Sequence, residues 1–469
     1  MSDTEVNNKG KQKTMGQPAN VTEFESLKTD NGNTDTSGHE NRYQKTVLEN
    51  GIRVVTASMP GVRSVSMGVL INAGPRDESP EECGLAHLIE HAMFQSTSSK
   101  NATQIASIMD TAGGQMGAFT ARDYTCYTAT VLDDYRTYAL ELLSDLLLNS
   151  IYPEENMERE KGVIMREIDA SNDLPSKKVH SILKESIWAD HALGRPIFGW
   201  PETVKPLTRE DVIYFVHKHY LPNRMIVSAA GNLEHSDFVA QVRDFFWSLM
   251  GESIPTDNGP PSYTAGVTIE HASVSQAYFS LGIRAFPYAH PDRYGFHLLN
   301  AILGGGISSR LYRRMREERG LVYEISSQYH AYEDDGVLVI EGSTKPEYLM
   351  QVLGLTLVEL WRLITLDEPA DEEELWKAKM QIRGQHIISG EITSTRMSQL
   401  ATQEQYFGRY IPAEEIIGEI DAVDNRMLER MARESLIKFL KQTAIAIVGP
   451  KAPEYYSVSS IEDLLKSFQ

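Results

Sequence analysis

The feature of this 469-residue chain that most limits its fold is an internal repetition. Ala86-His87-Leu88-Ile89-Glu90-His91-Ala92-Met93-Phe94-Gln95-Ser96-Thr97-Ser98-Ser99 aligns without gaps on Phe296-His297-Leu298-Leu299-Asn300-Ala301-Ile302-Leu303-Gly304-Gly305-Gly306-Ile307-Ser308-Ser309. Both stretches follow a strand pattern, and both end in Ser-Ser before another helical pattern. Each half then continues with paired strands and long helices in the same order. Self-similarity at so long a period means one folding unit used twice. The expected fold class is α+β: two duplicated α/β-sandwich domains, each an antiparallel-rich sheet with helices packed on it.

Residues 1–42 hold few large apolar side chains among many polar ones and read as a disordered tail. Order is expected from Tyr43. The first domain is placed at 43–250, the linker at 251–266 and the second domain at 267–469. Three prolines and three glycines in the linker exclude a continuous helix or central strand. In the first half, Val47 to Val55 reads as two short strands, with Asn50-Gly51 supplying a type I′ hairpin turn. Strands follow at 64–73, 115–120, 123–131 and 224–231. Helices are expected at 84–95, 103–112, 133–149, 153–170, 175–188, 208–220 and 235–249.

Charge and cysteine usage narrow the function classes. Lys plus Arg is 45 and Asp plus Glu is 65, which gives 45 − 65 = −20. An acidic chain does not track phosphate backbones, so no nucleic-acid partner is expected. Mean hydropathy is −0.33, and no apolar run approaches the roughly 20 residues of a spanning helix, so no membrane partner is expected either. Cys83 and Cys126 are too few for a secreted disulfide framework. The N-terminus has no apolar signal region, and the expected compartment is the cytoplasm.

The chemistry-bearing motif is His87-Leu88-Ile89-Glu90-His91. On a helix, positions i and i+4 share a face, so both imidazoles can reach one metal ion. Glu90, at i+3, stands beside them and can act on a water. With 13 histidines in the chain, on the order of 0.03 such motifs would arise by chance. Leu85, Leu88, Ile89, Met93 and Phe94 mark a buried helix, where two histidines and a glutamate without a partner would cost several kcal/mol. Two histidines do not complete a zinc site, for which three protein ligands are usual. Glu160 and Glu167, seven apart on a helix that opens at Pro153, share one face. Either could ligate while the other orients the site.

H-x-x-E-H followed by E-x6-E on a later helix resembles the M16 (pitrilysin, or insulinase-like) zinc metallopeptidases. The chain is similar in length to the smaller members, such as mitochondrial processing peptidase subunits and bacterial two-domain homologues, and the resemblance covers roughly residues 45–450. It implies His87, His91 and Glu167 as ligands of one Zn2+ per chain, Glu90 as general base and Glu160 as a supporting acid. Ser309 to Tyr323 resembles the family's R-x6-Y stretch. That implies Arg316 and Tyr323 as the pair that meets substrate and the developing oxyanion. The family's N-A-x-T strand corresponds to Gly117-Ala118-Phe119-Thr120, with Gly117 where the family has Asn. Backbone pairing of a peptide along this strand can persist, but the Asn contact cannot.

The second half replaces Glu90 and His91 by Asn300 and Ala301, so it is expected to be an inactive repeat presenting Arg316 and Tyr323. His297 is expected in the core, Gly304 to Gly306 in a flexible loop, Cys83 as a buried thiol, and Trp361 and Trp376 packed in helices. The whole reads as a metalloendopeptidase acting on extended or unfolded peptides. The alternatives are a non-catalytic assembly subunit and a dedicated precursor-peptide processing protease. A chain with two of the family's four domains implies a homodimer, or a heterodimer with a related subunit.

Overall fold

A computed structural model describes residues 43–252, 259–365 and 367–468. The expected tail at 1–42 and the middle of the expected linker, 253–258, lie outside the described residues. The first half builds a six-stranded sheet from β1 (Tyr43–Val47), β2 (Arg53–Ser58), β3 (Ser64–Ile71), β4 (Gln115–Thr120), β5 (Thr125–Leu132) and β6 (Met225–Gly231). Their order is β1-β2-β6-β3-β5-β4. The second half builds a five-stranded sheet from β7 (Gly266–His271), β8 (Ala277–Ala285), β9 (Val322–Ala331), β10 (Gly336–Thr344) and β11 (Ala444–Gly449), in the order β7-β11-β8-β10-β9. Without β1 the two orders are the same. In each, one parallel pair, β2 with β6 and β7 with β11, joins an otherwise antiparallel sheet. The duplication seen in fourteen residues is therefore a duplication of topology.

One face of the first sheet is covered by α1 (Leu85–Met93), α2 (Ala102–Thr111), α3 (Arg136–Asn149), α4 (Glu154–Asn172), α6 (Arg209–His219) and α7 (His235–Phe246), around a core that includes Val69, Ile89, Leu143 and Val227. The other face is covered from the second half. Met397, Leu400 and Ala401 of α11 (Thr393–Phe407) pack on Val55, Ala57, Leu70, Ile226 and Ala230. The reverse also holds. Val179, Leu183 and Ile187 of α5 (Pro175–Ile187), a first-half helix, pack with Trp188 on Val337, Val339, Ala444, Ala446 and Val448 of the second sheet. Each half lends one helix to the other, because a sheet buried on one face only still has apolar residues to remove from water on the other.

The second sheet's remaining face carries α8 (Arg293–Gly304), α9 (Leu349–Thr365), α10 (Glu372–Gly390), α12 (Ala413–Ala422), α13 (Asn425–Met431) and α14 (Val458–Lys466). The stretch Pro346–Thr365 is long and apolar enough by composition to cross a membrane, contrary to the expectation that no run reaches that length. Its Leu349, Val352, Leu353, Leu357 and Leu360 are spent on the second core.

Four expectations need correction. The β1–β2 hairpin has a five-residue connection, with Tyr43 opposite Ala57 and Val47 opposite Arg53, and is not a two-residue type I′ turn. Only Gly51 takes a positive φ, 97°. Asn50 instead uses its side chain, donating from Nδ2 to the carbonyls of Phe246 at 3.1 Å and Leu249 at 3.2 Å. Pro153 stands at the N-cap of α4, one place before its expected position. His297 is exposed rather than in the core, its ring edge 4.8 Å from that of Tyr329. Gly304 ends α8 because Ser327 lies against it: a Cβ there would meet the Ser327 hydroxyl at 2.6 Å. That glycine serves close packing rather than loop freedom.

Candidate active site

The helix α1 starts without a side chain at its N-cap. Gly84 occupies that place at φ 97°, and a Cβ on it would meet the Phe198 carbonyl oxygen and Val204 Cγ2 at 2.8 Å. The cap comes from a distance. The buried Glu78 carboxylate accepts from the backbone N–H of Ala86 at 2.7 Å and of Gly84 at 3.1 Å. It satisfies two free donors at the helix start, while burial raises its carboxyl to about 8. Leu85, Ala86, Leu88, Ile89, Ala92 and Met93 bury the helix against the first core. His87, Glu90 and His91 are left on the flank toward α4 and β4.

There the side chains converge. Glu167 Oε2 lies 3.8 Å from His87 Nε2 and 3.7 Å from His91 Nε2. One ligand atom from each of the three residues lies within 4.8 Å of the others. The spacings are too long for hydrogen bonds. They approach the roughly 3.4 Å edge of a tetrahedron whose ligands stand about 2.0–2.1 Å from a zinc ion. Glu167 Oε2 and His87 Nδ1 are buried and have no hydrogen-bond partner among the described residues, a costly state unless a cation accounts for the carboxylate. Burial, with the neighbouring His91 adding to it, pulls His87 down to about 3, which keeps its ring neutral and a lone pair available. The residues present thus fit a divalent, zinc-type ion on the chemistry of their donors. Glu167 is 39% exposed at its side chain, so the cluster opens to solvent on that side.

Glu160, two turns before Glu167, approaches the other nitrogen of His91 at 3.3 Å. This favours the tautomer that donates from Nδ1 and leaves Nε2 free to ligate. Glu154, Glu155 and Glu158 of the same helix are exposed. Burial raises the Glu90 carboxyl above the usual carboxylate range, opposed first by a hydrogen bond from the Thr120 hydroxyl. Thr120 ends β4, which among the described residues pairs only with β5 and so is one of the two edges of the first sheet. Gly117, Ala118 and Phe119 lie along that edge, and space is open where a Gly117 side chain would be.

Arg316 and Tyr323 are brought together, but elsewhere. Tyr312–Glu317 forms a π-type turn, and β9 begins at Val322. The Arg316 guanidinium lies over the rings of Tyr312, at 4.9 Å, and Tyr323, at 5.1 Å. Tyr323 is 77% exposed. Among the described residues, no hydrogen bond, ion pair or ring contact ties either one to His87, Glu90, His91 or Glu167. Sequence reasoning missed Glu78 and the Thr120–Glu90 bond. It also missed Phe198, whose ring meets that of His87 edge-on at 4.9 Å. A carboxylate six residues before a Gly at a helix start is the one local signal that could have pointed to Glu78.

A duplicated mixed sheet with exchanged helices, and a His/His/Glu cluster beside a free edge strand, defines a class that comparison with known proteins puts a name to. Residues 53–200 match the insulinase (peptidase family M16) description, and residues 206–382 match the peptidase M16 inactive domain. The chain belongs to peptidase family M16. It is similar to the uncharacterized zinc protease YmxG of Bacillus subtilis, 35% identical over 86% of this chain and 97% of that one. An uncharacterized zinc protease of Mycobacterium leprae is 34% identical over 87% of this chain and 92% of its own length. The crystal structure of a protease from Helicobacter pylori shares the fold with a TM-score of 0.81 at 21% identity, covering 87% of this chain and 99% of that one.

Proposed function

We propose that the chain is a zinc-dependent endopeptidase that hydrolyses extended or unfolded peptides. The observation that carries this reading is the convergence of His87, His91 and Glu167 donor atoms beside Glu90, which is itself bonded to a free strand edge. A zinc ion held by those three residues supplies a Lewis acid that makes a water nucleophilic near neutral pH and polarises the peptide carbonyl. Glu90 takes the proton from the attacking water and returns it to the leaving amine. Thr120 holds the Glu90 carboxylate toward the edge where the peptide lies. Glu160 keeps the His91 ring turned. The peptide pairs with β4 by strand addition, so its backbone rather than its sequence gives much of the affinity.

Arg316 and Tyr323 supply a cation and a phenol suited to a developing oxyanion. Among the described residues neither is bonded to the His/Glu cluster, and the proposal includes a homodimer. In it, each site joins His87, Glu90, His91 and Glu167 of one protomer to Arg316 and Tyr323 of its partner. The test of the reading is digestion of a peptide mixture with and without chelator, read by mass spectrometry, alongside the Glu90→Gln variant. Chelator-sensitive internal cleavage by the parent alone is expected. Cleavage that survives both chelation and Glu90→Gln would overturn it.

A further inference from the structure

The edge hairpins of the two sheets have equivalent tips, and the tips meet. Thr120 pairs with Thr125 and Ala331 with Gly336, so residues 121–124 join β4 to β5 and residues 332–335 join β9 to β10. Each tip closes on the same bond, from the Ala121 N–H to the Tyr124 carbonyl at 2.8 Å and from the Tyr332 N–H to the Asp335 carbonyl at 2.9 Å. The third residue of each tip is an aspartate, Asp123 in the first and Asp334 in the second. Both converge on one guanidinium. Arg76 Nη1 donates to Asp123 Oδ1 at 3.0 Å and to Asp334 Oδ1 at 2.9 Å, and Nη2 donates to Asp334 Oδ2 at 2.7 Å. Two more bonds reach Asp123 Oδ2 from the second half, from the Tyr406 hydroxyl of α11 at 2.8 Å and the Glu333 N–H at 3.3 Å. Arg76 and Asp123 are buried.

The place of Arg76 ties this bridge to the candidate site. Arg76, Asp77 and Glu78 follow β3, and each holds a different element. Arg76 holds the two tips. Asp77 Oδ1 accepts from Arg224, just before β6, at 2.7 Å. Glu78 holds the start of α1. The same turn lies tight against the first tip: the Arg76 N–H donates to the Arg122 carbonyl at 3.2 Å, and a Cβ on Gly74 would meet the Ala121 carbonyl oxygen at 2.9 Å. One turn therefore fixes both the helix that carries Glu90 and the tip that follows Thr120, and Thr120 and Glu90 are bonded to each other. Stability alone does not account for a buried ion cluster, since apolar side chains of similar volume are often as stabilising. What a forked, charge-assisted contact adds is a defined geometry.

We infer that Arg76 is a positioning residue: bridged to Asp123 and Asp334, it lets the second half of the same chain fix the end of β4, and with it the Thr120 hydroxyl, against Glu90. The inference rests on the peptidase reading above. Without the Asp334 carboxylate, Arg76 keeps Asp123 but loses its bidentate partner. The end of β4 is then freer to move, and the Glu90 carboxylate spends less time aimed at the attacking water.

Hydrogen–deuterium exchange read by mass spectrometry tests the bridge without any cleavage. Amides of residues 115–124 should exchange about tenfold faster in Asp334→Asn, and faster again in Asp334→Asn/Tyr406→Phe. The Asp334 side chain is 33% exposed, so the single variant should still fold. Arg76→Lys, which keeps the charge and loses the fork, should behave like Asp334→Asn. Kinetics on the same proteins test the positioning. In Asp334→Asn, kcat should fall by about 10- to 100-fold, with KM and zinc content close to parental. Asp334→Glu should recover most of that loss. Thr393→Val is the control for a purely structural contact between the halves. It removes the bond between the Ser66 and Thr393 hydroxyls, 2.8 Å apart, and should lower thermal stability while leaving kcat parental. Parental exchange in the double variant would overturn the bridge. Faster exchange with parental kcat would overturn the positioning role. Absence of cleavage by the parent would overturn the peptidase reading, and exchange would still decide whether Arg76 holds the end of β4.

Discussion

The two halves share a strand order and differ in what stands on equivalent helices. In α1 the outward flank carries His87, Glu90 and His91. In α8 it carries His297, Asn300 and Ala301. Both flanks still touch the free edge strand of their own sheet. Glu90 accepts from Thr120, and Asn300 Oδ1 accepts from Ser327 Oγ at 2.7 Å. The contact between helix and edge is therefore a property of the fold, while charge and metal donors are an addition in one copy. Glu167, on a helix that has no ligating counterpart in the second half, completes the difference. The topology provides a helix beside an open edge, and three or four side chains decide whether that place offers donors for a cation.

The largest effect should come from making the first copy resemble the second. In Glu90→Asn/His91→Ala, zinc measured by elemental analysis should fall from about one per chain to near none. Peptide cleavage should fall below detection. Zinc retained in that variant would break the assignment. Glu90→Gln alone should keep the metal and lose at least the 10²-fold typical of a removed general base.

The next test asks whether the halves cooperate across a dimer. Glu90→Gln and Arg316→Ala should each be inactive alone. After subunit exchange, mixed dimers should restore roughly a quarter of parental activity, one intact site in about half the dimers. No recovery despite exchange shown by native mass spectrometry would mean the sites are not shared in this way.

Smaller still, Glu160→Gln should weaken zinc affinity by about 10- to 100-fold in a chelator competition, as the loss of an orienting carboxylate does elsewhere. His91 would then face a neutral amide in place of a carboxylate, whereas His87, whose Nδ1 has no partner among the described residues, would be unaffected.

The exchanged helices give the last and smallest contrast. α5 carries Lys184, 8% exposed, against the second sheet, while α11 brings Glu404, 2% exposed, to the first sheet, where Lys45 at 2.8 Å and Arg53 at 3.6 Å pair with it. Burial first, and Arg122 after it, bring Lys184 from 10.5 down to about 7 against the opposing pull of Glu341. The folded value lies below the unfolded one, so between pH 7 and 10.5 the unfolded chain binds the extra proton and stability rises with pH. The slope is at most about 1.4 kcal/mol per pH unit. Thermal unfolding from pH 7 to 9 should show this rise in the parent and a flatter profile in Lys184→Met. Equal profiles would show that the buried ammonium does not titrate in that range.

The sequence made some of this legible and hid the rest for physical reasons. His87 and His91 are readable because i and i+4 fix one helical face without any tertiary knowledge. The repeat is readable because Ser98-Ser99 and Ser308-Ser309 keep the alignment in register. Spacing offered Glu160 and Glu167 alike, and the choice of Glu167 as the ligand came through resemblance, since nothing local ties either to a helix some 75 residues earlier. Glu78 and Thr120 were hidden because their partners are a helix terminus and a carboxylate reached through packing. The amphipathic patterns of α5 and α11 announce a buried face but not which sheet will bury it. His297 was expected in the core because its helix is buried, whereas its own position on that helix is exposed, with its ring edge beside Tyr329.

The helix exchange has a consequence for how such a molecule can change over time. The second half can do without the H-x-x-E-H set, as Asn300 and Ala301 illustrate, yet it cannot be discarded itself. Without α11, the zinc-cluster half would present Val55, Leu70, Ile226 and Ala230 to water as one bare apolar sheet face. Without α5, the other half would expose Val337, Val339 and Ala446 in the same way. A cut between residues 251 and 266 would then leave two fragments still clasped together, each unable to survive alone. The silent copy is kept as a structural spouse, free to drift in chemistry but bound to its shape.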